Sequence, residues 1–222
     1  PRYYKPSGGY NAPPEIIRYI KHLSGKPVFK VLYNPKLEYA MGKTNTYVKE
    51  SFIASLTHEV KFDTFFLYTS FNKEDIISQE EIVLESDGYF LLGYNEKIFE
   101  PTLDRVYLEL ERTKVYWLNW SSKTPTYKKY DAEIKRSALT LKMLSYDKSG
   151  AVLAAATTSL PETIGEVRNW DYRFCWIRDA SMVIKVVGQL GHKNIAKRYL
   201  QFIIDLIPDK DEKLQLMYGL NK

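Results

Sequence analysis

The sequence predicts an α+β fold in which an antiparallel β-sheet comes before a set of helices. Short runs rich in β-branched and aromatic residues fill the first hundred residues, with turn residues between them. After residue 100, the apolar residues recur at helical spacing instead. Because the strands precede the helices and do not alternate with them, the pattern disfavours a Rossmann fold and favours an antiparallel sandwich followed by a helical region.

Five segments in the first hundred residues are predicted to be strands: 27–33, 47–56, 59–68, 80–85 and 89–94. The Asp87-Gly88 pair is a common hairpin turn, so we expect the last two strands to pair with each other. The opening segment, 1–14, is rich in proline and glycine and is predicted to be a surface loop.

Four later segments are predicted to be helices: 101–120, 131–146, 179–190 and 194–207. Thr102 and Asn194 are the expected N-caps of the first and last of these helices. Gly191 is expected to end the third helix, because glycine readily takes the left-handed conformation that often follows a helix. Pro208 is expected to end the fourth.

The composition is that of a globular protein and argues against several kinds of site. The chain has 222 residues, 45% of them hydrophobic and 14% aromatic, which suffices for one large domain or two small ones. No apolar run approaches the roughly 20 residues that a membrane-spanning helix needs. The single cysteine, Cys175, excludes an internal disulfide, and three scattered histidines argue against a metal site. With no glycine-rich phosphate loop either, we expect no cofactor.

The net charge bears on whether the protein binds nucleic acid, and the two ends of the chain bear on whether it is part of a longer protein. The net charge is +5, but basic and acidic residues are interleaved, as in 128–136, so we expect a solvated surface and no nucleic-acid partner. The chain begins at Pro1, shows no targeting segment and stops just after a helix-like stretch. We therefore expect it to be part of a longer protein. A cytoplasmic location is a separate expectation, which does not follow from the missing targeting segment.

The segment 169–180, with the sequence NWDYRFCWIRDA, holds the strongest candidate site. Its neighbouring Arg178 and Asp179 offer hydrogen-bond donors and acceptors side by side, which suits a sugar hydroxyl. If the segment is helical, Tyr172, Trp176 and Asp179 share one stripe, with two rings leading to a carboxylate. An aromatic surface with a few charged groups is typical of a site for a polar ligand.

A purely structural role stays open for these residues. Asp179 or Asp171 can cap a helix or a turn, and Arg178 can pair with a carboxylate in the core. The aromatic side chains can be ordinary packing, as we also expect for Trp117 and Trp120. Cys175 is predicted to be a small buried hydrophobe, because no nearby histidine would activate it.

Four segments, in order along the chain, carry a family resemblance: 136–142, 154–162, 168–180 and 214–219. Together they resemble the glucoamylase-type family of inverting α-glucosidases, glycoside hydrolase family 15, which includes glucodextranases and prokaryotic trehalases. The resemblance covers about residues 101–222, whereas residues 1–100 match only loosely.

The resemblance implies a three-part architecture. Residues 1–100 would form part of an N-terminal antiparallel β-supersandwich, and residues 101–126 a linker helix. Residues 127–222 would form the first helices of an (α/α)6 barrel. A few helices cannot close such a barrel, so we expect Met182, Val186, Phe202 or Leu206 to be exposed or buried between subunits, with possible self-association.

The resemblance also implies a function: release of glucose, with inversion, from the non-reducing end of an α-glucan or related α-glucoside. A trehalase of the same family and a non-catalytic carbohydrate-binding or structural module are the alternatives. Tyr172, Trp176, Arg178 and Asp179 would bind the substrate, and the catalytic carboxylates would lie beyond Lys222. Within the chain, the pair formed by Glu162 and Glu166 is a weak candidate, because its segment is predicted to be a loop.

Overall fold

The computed structural model describes most of the chain: residues 3–4, 10–11, 13–57, 62–157, 159–207 and 213–221. The chain divides into two units, Pro1–Tyr116 and Trp117–Lys222. An antiparallel sheet lies in the first unit and most of the helices follow it, so the predicted α+β class is confirmed. The supersandwich and the (α/α)6 barrel stay predictions.

The strands are β1 (Tyr3–Tyr4), β2 (Tyr10–Asn11), β3 (Glu15–Ile20), β4 (Val28–Phe29), β5 (Asn45–Val48), β6 (Ile53–Thr57), β7 (Asp63–Thr69), β8 (Ile82–Val83), β9 (Gly88–Tyr94), β10 (Cys175–Trp176) and β11 (Met217–Tyr218). The α-helices are α1 (Lys73–Ser78), α2 (Leu103–Ser121), α3 (Asp131–Met143), α4 (Ile177–Gln189) and α5 (Lys193–Asp205). The boundary between the two units lies within α2.

The main sheet has five antiparallel strands in the order β3-β9-β7-β6-β5. Because side chains alternate along a strand, neighbouring residues of β7 face opposite sides of the sheet. Phe66 and Tyr68 pack with Val106 of α2 on one side, whereas Leu67 packs with Ile76 of α1 on the other. Both faces are therefore buried, which explains why the strand sequences are mostly apolar rather than alternating.

Several strand predictions need correction. The single strand predicted over 47–56 is two strands, β5 and β6, joined by a turn that Lys49 N closes by donating to Phe52 O at 2.8 Å. The strands predicted over 27–33 and 80–85 shrink to β4 and β8, which pair with each other. Strand β3 was not predicted, and it pairs with β9 along its whole length.

The hairpin predicted at Asp87-Gly88 is wrong. Strand β9 pairs with β3 and β7, and not with β8. The Asp87 carboxylate instead accepts a bond from His22 N at 2.8 Å and another from the Tyr19 hydroxyl. Tyr19 and His22 are far from Asp87 in the sequence, so a two-residue turn pattern cannot predict these contacts.

The N-terminal loop prediction is only partly testable. Strands β1 and β2 pair with each other within the segment predicted to be a loop, so that prediction is wrong there. The other residues of 1–12 lie outside the described residues, as do 58–61 of the strand predicted over 59–68. The described part of that strand is β7.

The helix predictions hold, with shifted ends. Thr102 caps α2, since its Oγ1 accepts a bond from Arg105 N at 3.3 Å. Helix α3 ends at Met143, three residues before the predicted Tyr146. Asn194 is not the N-cap of α5, because that helix begins at Lys193. Helix α5 ends at Asp205, and Pro208 lies outside the described residues.

Gly191 ends the helical region of α4 as predicted. Its φ is +86°, and its N–H donates to Gly188 O at 3.1 Å. The next amide, His192 N, donates to Val187 O at 2.9 Å. This pair of bonds is the Schellman motif, which satisfies the carbonyl groups at the helix end and turns the chain into α5.

The core of the second unit lies under α4 and α5. Its buried residues are Ala151, Val152, Cys175, Ala180, Tyr199 and Phe202. The predicted exposure of Phe202 is therefore wrong, because this ring packs inward. Met182 and Val186 are exposed, and Leu206 is half-buried. Across the described residues, no helix has both the length and the apolar character required to cross a bilayer.

Candidate functional site

The candidate segment is not a helix before residue 177. Trp176 has extended backbone angles, φ −79° and ψ 119°, and stands at the N-cap of α4. The backbone before it bonds to other segments: Ala155 N donates to Tyr172 O at 2.8 Å, and Ala154 N donates to Phe174 O at 3.2 Å. The condition for the helical stripe of Tyr172, Trp176 and Asp179 is therefore not met, because the backbone before residue 177 is not helical.

The aromatic side chains nevertheless come together. The rings of Tyr172 and Trp176 have centroids 6.0 Å apart at 45°, and those of Trp170 and Trp176 have centroids 6.2 Å apart, nearly perpendicular. Trp170 and Tyr172 are 44% and 40% exposed, so they are not core residues. The three residues make an aromatic cluster at the surface of the second unit.

Arg178 and Asp179 lie in the first turn of α4. Arg178 Nη2 and Asp179 Oδ2 are 3.2 Å apart, and the Arg178 side chain is 73% exposed. Arg178 thus does not bond to a core carboxylate, and Asp179 is inside the helix rather than its N-cap. A guanidinium has five N–H donors and this ion pair uses one of them, which leaves a polar edge accessible to a ligand.

A network around Asp171 joins the segment together. Arg173 donates to the Asp171 carboxylate from its backbone N at 3.0 Å, from Nε at 3.0 Å and from Nη2 at 2.7 Å. This guanidinium holds the pKa of Asp171 well below its usual range. Ser159 Oγ lies 3.2 Å from Asp171 Oδ1, and the Asp171 main-chain oxygen accepts the Trp176 Nε1–H at 2.8 Å.

The structural alternative is therefore supported for Asp171, whose carboxylate accepts the backbone N–H two residues later, as in a capped turn. This capping role was one of the alternatives considered for Asp171, but its ion pair with Arg173 was not predicted. The only local indication of that pair is an acid and an arginine two residues apart in a polar segment. Nothing in the local sequence indicates the contact between Ser159 and Asp171, because the fold brings these two residues together.

The segment 214–219 lies beside the aromatic residues. Strand β11 pairs with β10, with Cys175 opposite Tyr218 and Trp176 opposite Met217. Ile177 N also donates to Leu216 O at 3.1 Å. Two of the segments that carry the family resemblance are thus neighbours in space although they are far apart in the sequence.

The remaining candidates have other surroundings. Glu162 lies in an exposed loop, where its Oε1 accepts a bond from Trp170 Nε1 at 2.9 Å. Cys175 is fully buried, and burial raises the pKa of its thiol, so its prediction as a buried hydrophobe is confirmed. In the part of the chain that the structure describes, no three His, Cys, Asp or Glu side chains are grouped as metal ligands would be.

The four predicted substrate-binding residues are thus distributed over adjacent elements. Tyr172 lies in the turn before β10, Trp176 ends β10, and Arg178 with Asp179 begins α4. Their role in binding stays a prediction. What the structure adds is that all four occur at one end of α4 and that the rings and the ion pair are at least partly accessible.

The part of the chain that contains the candidate site is similar to a known protein family. Residues 128–222 match the family described as glycosyl hydrolases family 15. A relative named trehalase from Thermoplasma acidophilum is 30% identical over 210 residues, which cover 94% of this chain and 36% of the relative. Trehalases of Thermoplasma volcanium and Mycobacterium tuberculosis are 36% and 37% identical over 151 and 142 residues.

The last two alignments cover 68% and 61% of this chain, and 24% and 21% of the relatives. The chain therefore spans between about a fifth and a third of the length of these relatives. No solved structure matches the chain.

Proposed function

From the relationship of this chain to glycoside hydrolase family 15, we propose that the protein is a glycoside hydrolase that cleaves trehalose. The observation that carries this proposal is the alignment with trehalase-named relatives, one of which covers 94% of the chain. The α-glucan substrate that the sequence analysis expected is the comparison substrate in the test below.

The candidate site would bind one terminal glucose unit. Tyr172 and Trp176 would pack against the apolar face of the sugar ring, and Arg178 with Asp179 would bind hydroxyl groups at its edge. A hydrogen bond to a charged group contributes about 1.5–3 kcal/mol, so two or three of them supply recognition. These bonds alone do not catalyse hydrolysis, because a typical enzyme lowers the activation free energy of its reaction by about 8–23 kcal/mol.

We propose that hydrolysis proceeds with inversion. One carboxylic acid protonates the oxygen that leaves, and a carboxylate takes a proton from the water that attacks the anomeric carbon, with the two groups about 6.5–9.5 Å apart. We propose that both groups lie outside residues 1–222. The contribution of this chain is then to hold the glucose unit in place while those groups act.

The test is a glucose-release assay on the full-length gene product with trehalose and with a maltooligosaccharide. We expect faster release from trehalose. Before mutarotation, NMR should show α- and β-glucose in equal amounts, because inversion converts the attacked ring to the β-anomer while the glucose that leaves keeps its α configuration. Faster release from the maltooligosaccharide would instead support a glucoamylase-like substrate. Glucose binding without hydrolysis of either sugar would support a carbohydrate-binding module. A protein that neither binds glucose nor hydrolyses either sugar would contradict the proposal.

We also propose that the chain, when expressed as these 222 residues, self-associates. Helices α4 and α5 leave several large apolar side chains exposed: Met182, Val186, Leu200 and Ile204. Exposed apolar surface of this kind favours association with another apolar surface.

A further inference from the structure

We propose that Asp171 is a positioning residue that sets how the Tyr172 and Trp176 rings are oriented relative to each other. The inference rests on the proposed function, in which these two rings line a sugar site. Asp171 does not act on the sugar itself. It accepts a hydrogen bond from Trp176 directly and is linked to Tyr172 through the Ser159 hydroxyl.

The first link runs to Trp176. An indole has a single N–H donor, and in Trp176 it donates to the main-chain oxygen of Asp171 at 2.8 Å. This bond is lost if the indole turns over, because the ring carries no second donor. The indole is therefore held at one edge while its face stays 6.0 Å from the Tyr172 ring, centroid to centroid.

The second link runs to Tyr172 through Ser159. The Tyr172 N–H donates to Ser159 Oγ at 3.2 Å, and the same hydroxyl donates to Asp171 Oδ1 at 3.2 Å. A hydroxyl can accept one bond and donate another, so the carboxylate orients the oxygen that receives the Tyr172 amide. The Tyr172 main-chain oxygen also accepts a bond from Ala155 N, so both sides of this residue are held.

The third link fixes Asp171 itself. Its carboxylate receives Arg173 through the backbone N–H and two guanidinium nitrogens, at distances of 2.7–3.0 Å. Charge-assisted bonds of this paired type are strong and directional. Arg173 therefore holds the carboxylate in the orientation in which it bonds to Ser159. The bond from Arg173 N to that carboxylate also closes a turn over the Asp171 backbone, so the position of the main-chain oxygen that Trp176 bonds depends on the carboxylate as well.

A merely structural Asp171 would stabilise the turn without affecting the rings. The two roles differ in what they predict for the folded protein. Displacing a binding group by about 1 Å can reduce catalytic efficiency by about 100-fold, even when the protein remains folded. Loss of turn stability alone would lower the unfolding temperature and leave kcat/KM per folded molecule unchanged.

The experiment uses the full-length gene product with trehalose as substrate. We expect Asp171→Ala to lower kcat/KM by about 10- to 100-fold in the folded protein. Asp171→Asn keeps an oxygen that can accept bonds from Arg173 N and Ser159, so we expect a smaller loss. We also expect the Trp176 emission, taken as the difference from the same variant carrying Trp176→Phe, to shift in Asp171→Ala.

A matched control is Asp131→Ala on α3. Asp131 also accepts bonds from a cation and a backbone amide, Lys135 Nζ at 2.7 Å and Tyr127 N at 2.9 Å. We expect this variant to keep wild-type kcat/KM and Trp176 emission. An equal loss in Asp131→Ala would show that any broken ion pair has this effect, and would overturn the positioning role.

Wild-type kcat/KM together with unchanged Trp176 emission in folded Asp171→Ala would also overturn the inference. If Asp171→Ala does not fold, Ser159→Ala removes one hydroxyl from the same network, and the same two readouts decide. If the wild-type protein hydrolyses no α-glucoside, the proposed function fails, and the emission of Trp176 still tests the positioning role on its own.

Discussion

Arg178 and Asp179 show how much a single residue's surroundings decide about its use. Both bear charges in the first turn of α4, and the Arg178 side chain is 73% exposed. An ion pair this exposed contributes about 0–1 kcal/mol to stability, because water competes for both charges. Their accessible polar atoms are therefore better suited to binding a ligand than to holding the fold together.

We predict that Arg178→Ala in the full-length protein lowers kcat/KM for trehalose by roughly 10- to 100-fold, the loss of one charge-assisted hydrogen bond. The unfolding temperature should change little. Steady-state kinetics and thermal unfolding measure the two effects. Lys114→Ala, which breaks the exposed pair with Glu111 at 2.6 Å, is the control and should change neither. An Arg178→Ala variant with full activity would contradict the assigned role.

His192 has the opposite surroundings, because it is buried. Its ring stacks on Trp120 with centroids 3.7 Å apart, and its Nε2 lies 2.8 Å from Thr124 Oγ1. Burial lowers the pKa of His192, and the positive charges of Lys123 and Lys142 lower it further. The folded protein therefore holds this histidine neutral at pH values where the unfolded chain already binds a proton.

We predict that the free energy of unfolding falls as the pH drops below about 6.5, the ordinary histidine pKa, because the unfolded chain then binds more protons. Urea unfolding at pH 7.5 and 5.5 measures this. His192→Gln should show a smaller decrease over that range. Aspartates with a lowered pKa, such as Asp131 and Asp171, reduce the free energy of unfolding only at more acidic pH, where their carboxylates become protonated. An unchanged pH dependence in His192→Gln would contradict the prediction.

At the scale of the element, the ends of α4 show which local signals are dependable. The glycine that ends the helix was predicted, because a left-handed residue after a helix is read from a few neighbouring positions. The beginning of α4 was predicted at Asp179, two residues after its observed start at Ile177. Cys175 and Trp176 are extended because they pair with β11, so the helix starts directly after this strand. The sequence around residue 177 gives no indication of β11, which lies about 40 residues later in the chain.

We predict that Gly191→Ala destabilises the protein by about 1–2 kcal/mol, the cost of a side chain in the left-handed conformation. The added carbon would also lie 3.3 Å from Lys123 O. Gly188→Ala is the matched control in the same helix, where no atom other than those of the neighbouring helix backbone lies within 4 Å of the added carbon. It should stabilise by about 0.5–1 kcal/mol. Urea unfolding of both variants checks the opposite signs, and equal effects would refute the argument.

At the scale of the whole molecule, the first unit buries both faces of its sheet, whereas the second leaves an apolar surface on α4 and α5. The difference follows from what covers each element. The sheet is covered by α1, the first part of α2 and the β4–β8 pair, all within the first unit. In the second unit, α4 and α5 cover each other and the Phe202 cluster, but Met182 and Ile204 stay exposed.

We predict that the 222-residue chain self-associates as its concentration rises, as measured by sedimentation velocity. Met182→Lys and Ile204→Lys should each weaken association, because a charge on that surface must be desolvated. Val115→Lys, at an exposed apolar position on α2, is the control and should leave association unchanged. A monomer at all concentrations would contradict this prediction.

The sequence alone determined that most of the strands precede the four long helices, the approximate positions of those helices and the segment 169–180 as the candidate site. These features depend on neighbouring residues, through apolar periodicity, helix caps and local density of aromatic and charged groups. Only the tertiary structure decided which strands pair, that Asp87 bonds to the segment after β3, and that an extended backbone brings the Tyr172 and Trp176 rings together. Those results depend on hydrogen bonds between segments distant in the sequence, and such partners have no local signature.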